Sequence, residues 1–197
     1  MKSVFNISLS LILLNLLSCC PESQITIIGV RGAYSTSSIS SVVGSKNVKS
    51  RTSVGILYEN ICDEVGINAS LIYTKYGLKD ISPNINENYY SIGLLLGIKK
   101  YQDNYIGWIR NPKKSPLFYY GLSLGIYKFF DKWSGPNNNI GKTEETYFSI
   151  TPYIGLDQKI TDRLGLFLGL GLTNFISKSN KPNIYLEFDI GFRYIVF

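Results

Sequence analysis

The sequence contains no histidine among its 197 residues, and only 17% of its residues are charged. Chemistry that depends on imidazole, including Ser-His-Asp triads, histidine metal sites and histidine pH switches, is therefore excluded. Cysteine is also rare: there are three, of which Cys19 and Cys20 are adjacent. A disulfide framework is not expected from this pattern, and Cys62, which stands alone in a short polar segment, is expected to be a free or incidental thiol.

The sequence is rich in tyrosine, phenylalanine and glycine, with 15, 10 and 18 residues. Aromatic and β-branched residues fit the half-buried face of a pleated sheet, and glycine within strands marks bends or positions where a side chain does not fit. After residue 20 no stretch has a convincing helical period, and apolar residues recur two apart instead. These features indicate one all-β domain.

The first twenty residues have the pattern of a secretory signal, with Lys2 followed by an apolar run over positions 9–17. That run is shorter than the about 20 apolar residues of a membrane-spanning helix. We therefore expect residues 1–20 to be a signal peptide cleaved near 18/19, and residues 24–197 to form the domain. The stretch LLSCC also resembles a lipobox, so lipidation of Cys19 and simple cleavage both stay open.

Eight segments alternate apolar with small or polar residues, which predicts eight strands. They lie near residues 24–34, 51–60, 65–76, 89–99, 117–129, 146–157, 163–176 and 183–197. The number is even, and each segment is about long enough to cross a membrane at a tilt. The connector 100–116 is unexpectedly long, and its NYIGWI stretch could be a strand. If NYIGWI is a strand, a second additional strand in STSSISSVVGS would keep the number even. A barrel of ten strands is therefore the alternative.

The two faces of the predicted strands differ in kind. In the segment 163–176 the even positions from 164 to 172 are all leucine, whereas the odd positions 165, 169 and 171 are glycine. The outer wall of a barrel in water needs charge, but charged residues lie mainly in the connectors. We therefore expect the apolar rows to face lipid, in a closed antiparallel up-and-down transmembrane β-barrel. A soluble or lipid-anchored lipocalin-like barrel, with the faces reversed, is the alternative.

Aromatic residues near the predicted strand ends are typical of girdles at the two membrane surfaces. The residues expected in these girdles are Tyr89, Tyr90, Tyr119, Tyr120, Tyr147 and Tyr185, with Trp108 and Trp133 in or near connectors. Lysine and arginine exceed aspartate and glutamate by 20 to 14. We expect this excess to reflect solvated loops such as SKSNKP, with an acidic ligand such as anionic lipid head groups as the alternative and no nucleic-acid partner.

The sequence ends DIGFRYIVF, which is apolar and strand-like to its last residue. This ending resembles the C-terminal β-signal of outer-membrane barrels. The residues that match it are Asp189, Gly191, Tyr194, Val196 and Phe197. With the strand rhythm, residues 24–197 resemble the small outer-membrane β-barrel proteins, akin to OmpA-type and porin-like barrels. The resemblance implies that barrel assembly machinery recognises the last strand, and that the protein lies in the outer membrane of a diderm bacterium.

Charged residues on the first, second and last strands could meet inside a closed barrel. They are Arg31, Glu59, Glu187, Asp189 and Arg193. We expect a salt-bridged plug rather than a polar gate, because eight strands leave room for side chains and not for a water channel. No catalytic, metal or cofactor site is expected. The predicted function is a structural or surface-interaction role carried by extracellular loops. The expected partners are outer-membrane lipids and an unknown extracellular molecule. A narrow porin-like channel for small solutes is the alternative function.

Overall fold

The computed structural model describes residues 24–36, 42–43, 46–78, 86–111, 115–134, 140–176 and 184–196. Within these ranges the elements are β1 Gln24–Thr36, β2 Val42–Val43, β3 Lys46–Cys62, β4 Val65–Leu78, β5 Asn86–Tyr101, α1 Tyr105–Arg110, β6 Leu117–Ser134, β7 Ile140–Lys159, β8 Leu164–Ile176 and β9 Ile184–Val196. In this part of the chain, no helix has the length and apolar character needed to span a membrane.

Eight of these strands form a closed antiparallel barrel in which neighbours along the chain pair with each other. β1 closes the barrel, because it pairs with β9 along one edge and with β3 along the other. The two-residue strand β2 pairs only with the start of β3 and stands outside the barrel. The prediction of an eight-stranded up-and-down barrel is confirmed, and the ten-stranded alternative is wrong.

The ten-stranded alternative fails because NYIGWI forms α1 and not a strand. The Asn104 side chain caps this helix by accepting a hydrogen bond from the Gly107 backbone N–H at 2.8 Å. The Tyr105 backbone N–H donates to the carbonyl oxygen of Asp63 in the neighbouring turn at 2.8 Å. The helix is therefore held against the end of the barrel where β1 starts and β9 ends, which we call the terminal end. The opposite end is called the loop end.

The apolar rows lie on the outside of the barrel, as predicted. On β6, Leu122, Leu124 and Ile126 are 43, 57 and 50% exposed. The outward side chains are apolar over 65–73 in β4, 92–98 in β5, 118–126 in β6 and 148–156 in β7, apart from Pro152. This height matches the about 9–11 residues of a transmembrane strand. We call this surface the apolar belt, and it excludes the lipocalin-like alternative, in which the apolar rows would be inside.

Glycines on the inner face make room for large aromatic rings. A Cβ atom at Gly93 would lie 2.5 Å from the Tyr127 ring, and one at Gly121 would lie 2.6 Å from the Tyr153 ring. An eight-stranded barrel has a narrow lumen, so a large inward side chain fits only where the facing position is small. This packing explains why the inner rows alternate glycine with aromatic residues.

The predicted aromatic girdles are partly wrong. Tyr90 and Tyr120 face outward, whereas their sequence neighbours Tyr89 and Tyr119 are buried inside the barrel. Adjacent residues of a strand point to opposite faces, so only one tyrosine of each pair can reach the membrane surface. Three more of the predicted girdle residues are wholly or partly buried: Trp108 in α1, Tyr147 in β7 and Tyr185 in β9. Trp133 remains exposed near the loop end.

Cys62, at the end of β3, is disulfide-bonded, so the prediction of a free or incidental thiol is wrong. The prediction failed because Cys19 and Cys20 were assigned to the signal boundary and were therefore not considered as disulfide partners of Cys62. Both of these cysteines lie outside the described residues, as do the predicted signal peptide and its lipidation site. The disulfide adds a covalent constraint at the terminal end of the barrel, next to the turn that holds α1.

Candidate functional site

The interior of the barrel is filled by side chains arranged in layers from the loop end to the terminal end. An aromatic layer near the loop end is followed by two clusters of charged residues with a small cavity between them, and α1 lies at the terminal end. The inward-facing rows supply these layers, odd-numbered on most strands and even-numbered on β4, because each strand contributes one inward side chain per two residues. The layers determine whether anything can pass through the barrel.

The aromatic layer fills the lumen near the loop end. Its members are Tyr76, Tyr89, Tyr127, Phe129, Phe175 and Tyr185. The rings of Phe129 and Phe175 have centroids 5.5 Å apart at 78°, and those of Tyr127 and Phe175 are 5.1 Å apart at 80°. Edge-to-face contacts of this kind favour dense packing of aromatic residues. Strands β4, β5, β6, β8 and β9 all contribute, so the layer ties together both sides of the barrel.

The upper ion cluster lies directly below the aromatic layer. Arg51 lies 3.0 Å from Glu187, and Arg31 lies 2.5 Å from Asp189 and 3.6 Å from Glu187. The Thr173 hydroxyl donates a hydrogen bond to Glu187 at 2.8 Å. The two cations come from β1 and β3, and the two carboxylates come from β9. Their charges balance on the inner side of the strands that close the barrel.

The lower ion cluster lies nearer the terminal end and also contains two cations and two carboxylates. Lys99 is 2.5 Å from Glu59, and Arg193 pairs with Asp157 and approaches Glu59 at 3.5 Å. The Tyr101 hydroxyl donates to Glu59 at 3.0 Å and accepts a hydrogen bond from Arg193 at 3.0 Å. All these side chains are buried. Paired and hydrogen-bonded charges are what a low-dielectric interior can accommodate.

A cavity of about 50 Å³ separates the two ion clusters. Its lining includes Asn68, Ser123 and Tyr153, and the Asn68 amide donates a hydrogen bond to the Tyr153 hydroxyl at 3.0 Å. This volume has room for only a few water molecules. The polar lining suits water, and residues of both ion clusters, among them Arg31 and Arg193, form part of that lining.

The helix α1 fills the terminal end of the lumen. Tyr105, Trp108 and Ile109 are buried against inward side chains of the strands. The Trp108 indole N–H donates to the carbonyl oxygen of Ser115 at 2.6 Å, and the Lys159 ammonium donates to that of Ile109. These bonds hold the helix across the opening, so the long connector between β5 and β6 acts as a plug.

All five residues predicted for the lumen charge cluster line the interior, but they do not form one cluster. Three of them, Arg31, Glu187 and Asp189, belong to the upper ion cluster, whereas Glu59 and Arg193 belong to the lower one. Their partners Arg51, Lys99 and Asp157 were not predicted from the sequence. Their odd numbers, which match the inward rows, are the signal that could have identified them.

The residues of the predicted assembly signal occupy two faces of β9. Asp189 and Gly191 point into the lumen, whereas Tyr194 and Val196 point outward, with 47 and 38% of their surface exposed. Phe197 lies outside the described residues. Among the residues that the structure describes, no group of three or more Cys, Asp or Glu is placed to hold a metal ion.

Several solved membrane proteins share this fold at low sequence identity. Ail, the attachment invasion locus protein of Yersinia pestis, is 15% identical, with a TM-score of 0.51 over 88% of this chain and 97% of that chain. Neisserial surface protein A is 15% identical, with a TM-score of 0.52 over 87% and 96%. The outer membrane protein OprG from Pseudomonas aeruginosa is 12% identical, with a TM-score of 0.58 over 90% and 98%. The sequence matches no family model and no curated protein.

The likeness extends over nearly the full length of each of these proteins, so it includes the whole barrel. The apolar belt on the outside and the paired charges inside are the inverse of a soluble barrel and fit a barrel surrounded by hydrocarbon. The chain is an integral membrane β-barrel with the fold of the small bacterial outer-membrane β-barrel proteins.

Proposed function

We propose that the protein is an outer-membrane barrel without enzymatic activity, which acts through its exposed loops and its contacts with the membrane. The observation that carries this proposal is the filled lumen, in which the aromatic layer, two balanced ion clusters and α1 leave small cavities among the described side chains. A lumen packed in this way leaves the loops and the outer wall as the surfaces on which a partner can act.

The terminal end is assigned to the periplasm and the loop end to the cell exterior. Barrels of this type have both chain ends on the periplasmic side and longer loops outside. The connectors at the loop end include the polar stretches GPNNN at 135–139 and SKSNKPN at 177–183. The β6–β7 hairpin supports the assignment, because its strands of 18 and 20 residues extend beyond the apolar belt at the loop end.

The similar structures are consistent with a surface role. Ail is named for attachment and invasion and has been solved in complex with a heparin analogue, and Neisserial surface protein A is named as a surface protein. A surface role for the present chain would use the polar loops at the loop end, which are rich in Asn, Ser, Lys and Gly. We propose that its partner is an extracellular molecule that contacts these loops.

The channel alternative is tested by conductance. We expect the folded protein in a planar lipid bilayer to show no stable unitary current, because the aromatic layer, the ion clusters and α1 fill the described part of the lumen. Gel mobility of the same detergent-solubilised sample, with and without boiling, checks that the barrel is folded. Reproducible unitary steps from the heat-modifiable form would contradict the surface role and support a narrow channel.

We further propose that barrel assembly machinery recognises β9 through its outward residues and Phe197. Deletion of Phe197, or Tyr194→Ala, is expected to reduce the amount of folded protein in the outer membrane several-fold. Phe118→Ala is the matched control, since Phe118 is also an outward aromatic residue at the terminal end and is 56% exposed. Quantitative immunoblotting of unboiled membrane fractions measures the effect. Equal levels for the Tyr194 and Phe118 variants would show that β9 has no special role.

A further inference from the structure

A patch of lysines and aromatic rings lies on the outer wall of the barrel at the loop end. It is formed by outward side chains of three neighbouring strands, β4, β5 and β6, and of the start of β7. Its members are Lys75, Lys128, Lys132 and Lys142, together with Tyr73, Tyr90, Phe130 and the carboxylate Glu144. We call this the lysine patch. It plays no part in filling the lumen.

The strand register places the lysine patch at the upper border of the apolar belt. Lys75 on β4 lies opposite Tyr90 on β5, which lies opposite Phe130 on β6. On each strand the next outward residues toward the terminal end are apolar or aromatic. The two exceptions are Lys128 on β6 and Thr146, which lies opposite it on β7. Lys132 lies four residues beyond Lys128, or about 13 Å along the strand. The patch therefore spans the height at which lipid head groups meet water.

The rings of the patch support the lysine side chains. Tyr90 and Phe130 stack with centroids 5.0 Å apart at 16°, and Tyr73 lies 5.7 Å from Tyr90. The ammonium groups of Lys128 and Lys132 lie 5.3 Å and 5.7 Å from the ring centroids of Phe130 and Tyr90. Lysine stems that rest on apolar surface while their charge points to water are typical of membrane interfaces.

The charges of the patch are only partly balanced. Glu144 pairs with Lys128 at 2.6 Å and with Lys142 at 2.5 Å. Hydrogen bonds from these two lysines lower the pKa of the Glu144 carboxyl to about 2, so it stays ionised at physiological pH. No acidic side chain in the described part of the chain pairs with Lys75 or Lys132. The patch thus keeps a net positive charge with two uncompensated ammonium groups.

We propose that the lysine patch binds the phosphate groups of a phosphorylated glycolipid in the outer leaflet, with Lys75 and Lys132 as the principal phosphate contacts. The apolar belt directly below would hold the acyl chains, so one lipid molecule can contact both surfaces. This inference rests on the proposed orientation, with the loop end outside. The height of the patch favours a lipid over a soluble anion, which would need contacts on the loops beyond it.

The experiment measures binding of lipid A, which bears phosphate on its disaccharide, by native mass spectrometry of the detergent-solubilised, folded protein. The double variant Lys75→Gln/Lys132→Gln is expected to weaken binding by on the order of 25-fold, since each lysine near an anionic lipid surface contributes about fivefold. Glu144→Gln is expected to strengthen binding by about fivefold, because it releases Lys128 and Lys142 from their carboxylate.

Lys100→Gln is the matched control, since Lys100 is an outward lysine at the terminal end, 3.7 Å from Glu64. This variant is expected to bind lipid A as the unmodified protein does. Dephosphorylated lipid A should bind weakly to every variant, and free inorganic phosphate should not compete. Equal affinity of the double variant and Lys100→Gln, or undiminished binding of the dephosphorylated lipid, would overturn the proposal. Conductance and heat-dependent gel mobility, unaffected by these substitutions, test the surface role separately.

Discussion

Replacing Arg193 with alanine is expected to lower the free energy of unfolding by about 3–5 kcal/mol, because it leaves buried carboxylates without their cation. Arg193 pairs with Asp157, approaches Glu59 at 3.5 Å and donates a hydrogen bond to the Tyr101 hydroxyl. Its guanidinium also lies 4.5 Å from the centroid of the Phe167 ring. Equilibrium unfolding in urea, in lipid vesicles and followed by tryptophan fluorescence, measures the change.

Two further variants separate lost charge pairing from lost packing. Arg110 is exposed on α1, so Arg110→Ala is expected to change stability by no more than about 0.5 kcal/mol. The double variant Arg193→Ala/Asp157→Asn should recover part of the loss, because it removes one of the stranded carboxylates. If Arg193→Ala is as stable as the Arg110 control, the lower ion cluster does not stabilise the barrel.

Replacing Gly191 with valine is expected to prevent formation of the heat-modifiable barrel. A Cβ atom at Gly191 would collide with the carbonyl oxygen of Val30 in β1 and would lie 2.5 Å from the Phe167 ring in β8. β9 could then not approach either neighbour, and its pairing with β1 closes the barrel. The smaller change Gly191→Ala should still cost about 3 kcal/mol, the upper part of the range for overpacking.

Gly32→Ala is the matched control for this prediction. Gly32 lies in β1, opposite Ile190 of β9, but it faces outward, and a Cβ atom there would come no closer than 3.9 Å to its nearest neighbours. The alanine variant is expected to fold normally and to keep its heat-dependent gel shift. A similar loss of folded protein in both variants would mean that glycine is needed at the β1–β9 junction for a reason other than space.

The strands are predictable from the sequence because their signal is local. A strand with one face in lipid and the other in a packed lumen must alternate residue by residue, and this alternation is visible over 163–176 without any knowledge of the fold. The same parity correctly placed the apolar rows outside. The same parity also places Tyr89, Tyr119, Lys99 and Asp157 inside the barrel, where all four side chains are buried.

The helix α1 could not be predicted in the same way. Its six residues are too few for a helical period, and isolated helices of this length are unstable in water. It is held by Asp63, Ser115 and Lys159, which lie on three different segments of the chain. The Asn104 cap and a proline at position 112 were local hints of a helix, but its role as a plug depends on where the closed barrel places it.

The sequence by itself determined the all-β class and the positions of the eight alternating segments, and it favoured a closed barrel with its apolar rows in lipid, since these follow from the period and composition of single segments. Only the tertiary structure decided how the charges pair, because the paired residues lie on strands that are not adjacent in the barrel. Arg193 on β9 pairs with Asp157 on β7, and Arg51 on β3 pairs with Glu187 on β9. The same holds for the lysine patch, whose members come from four strands. Such contacts depend on strand register and barrel closure, which are set by the packing of the whole chain and not by any one segment.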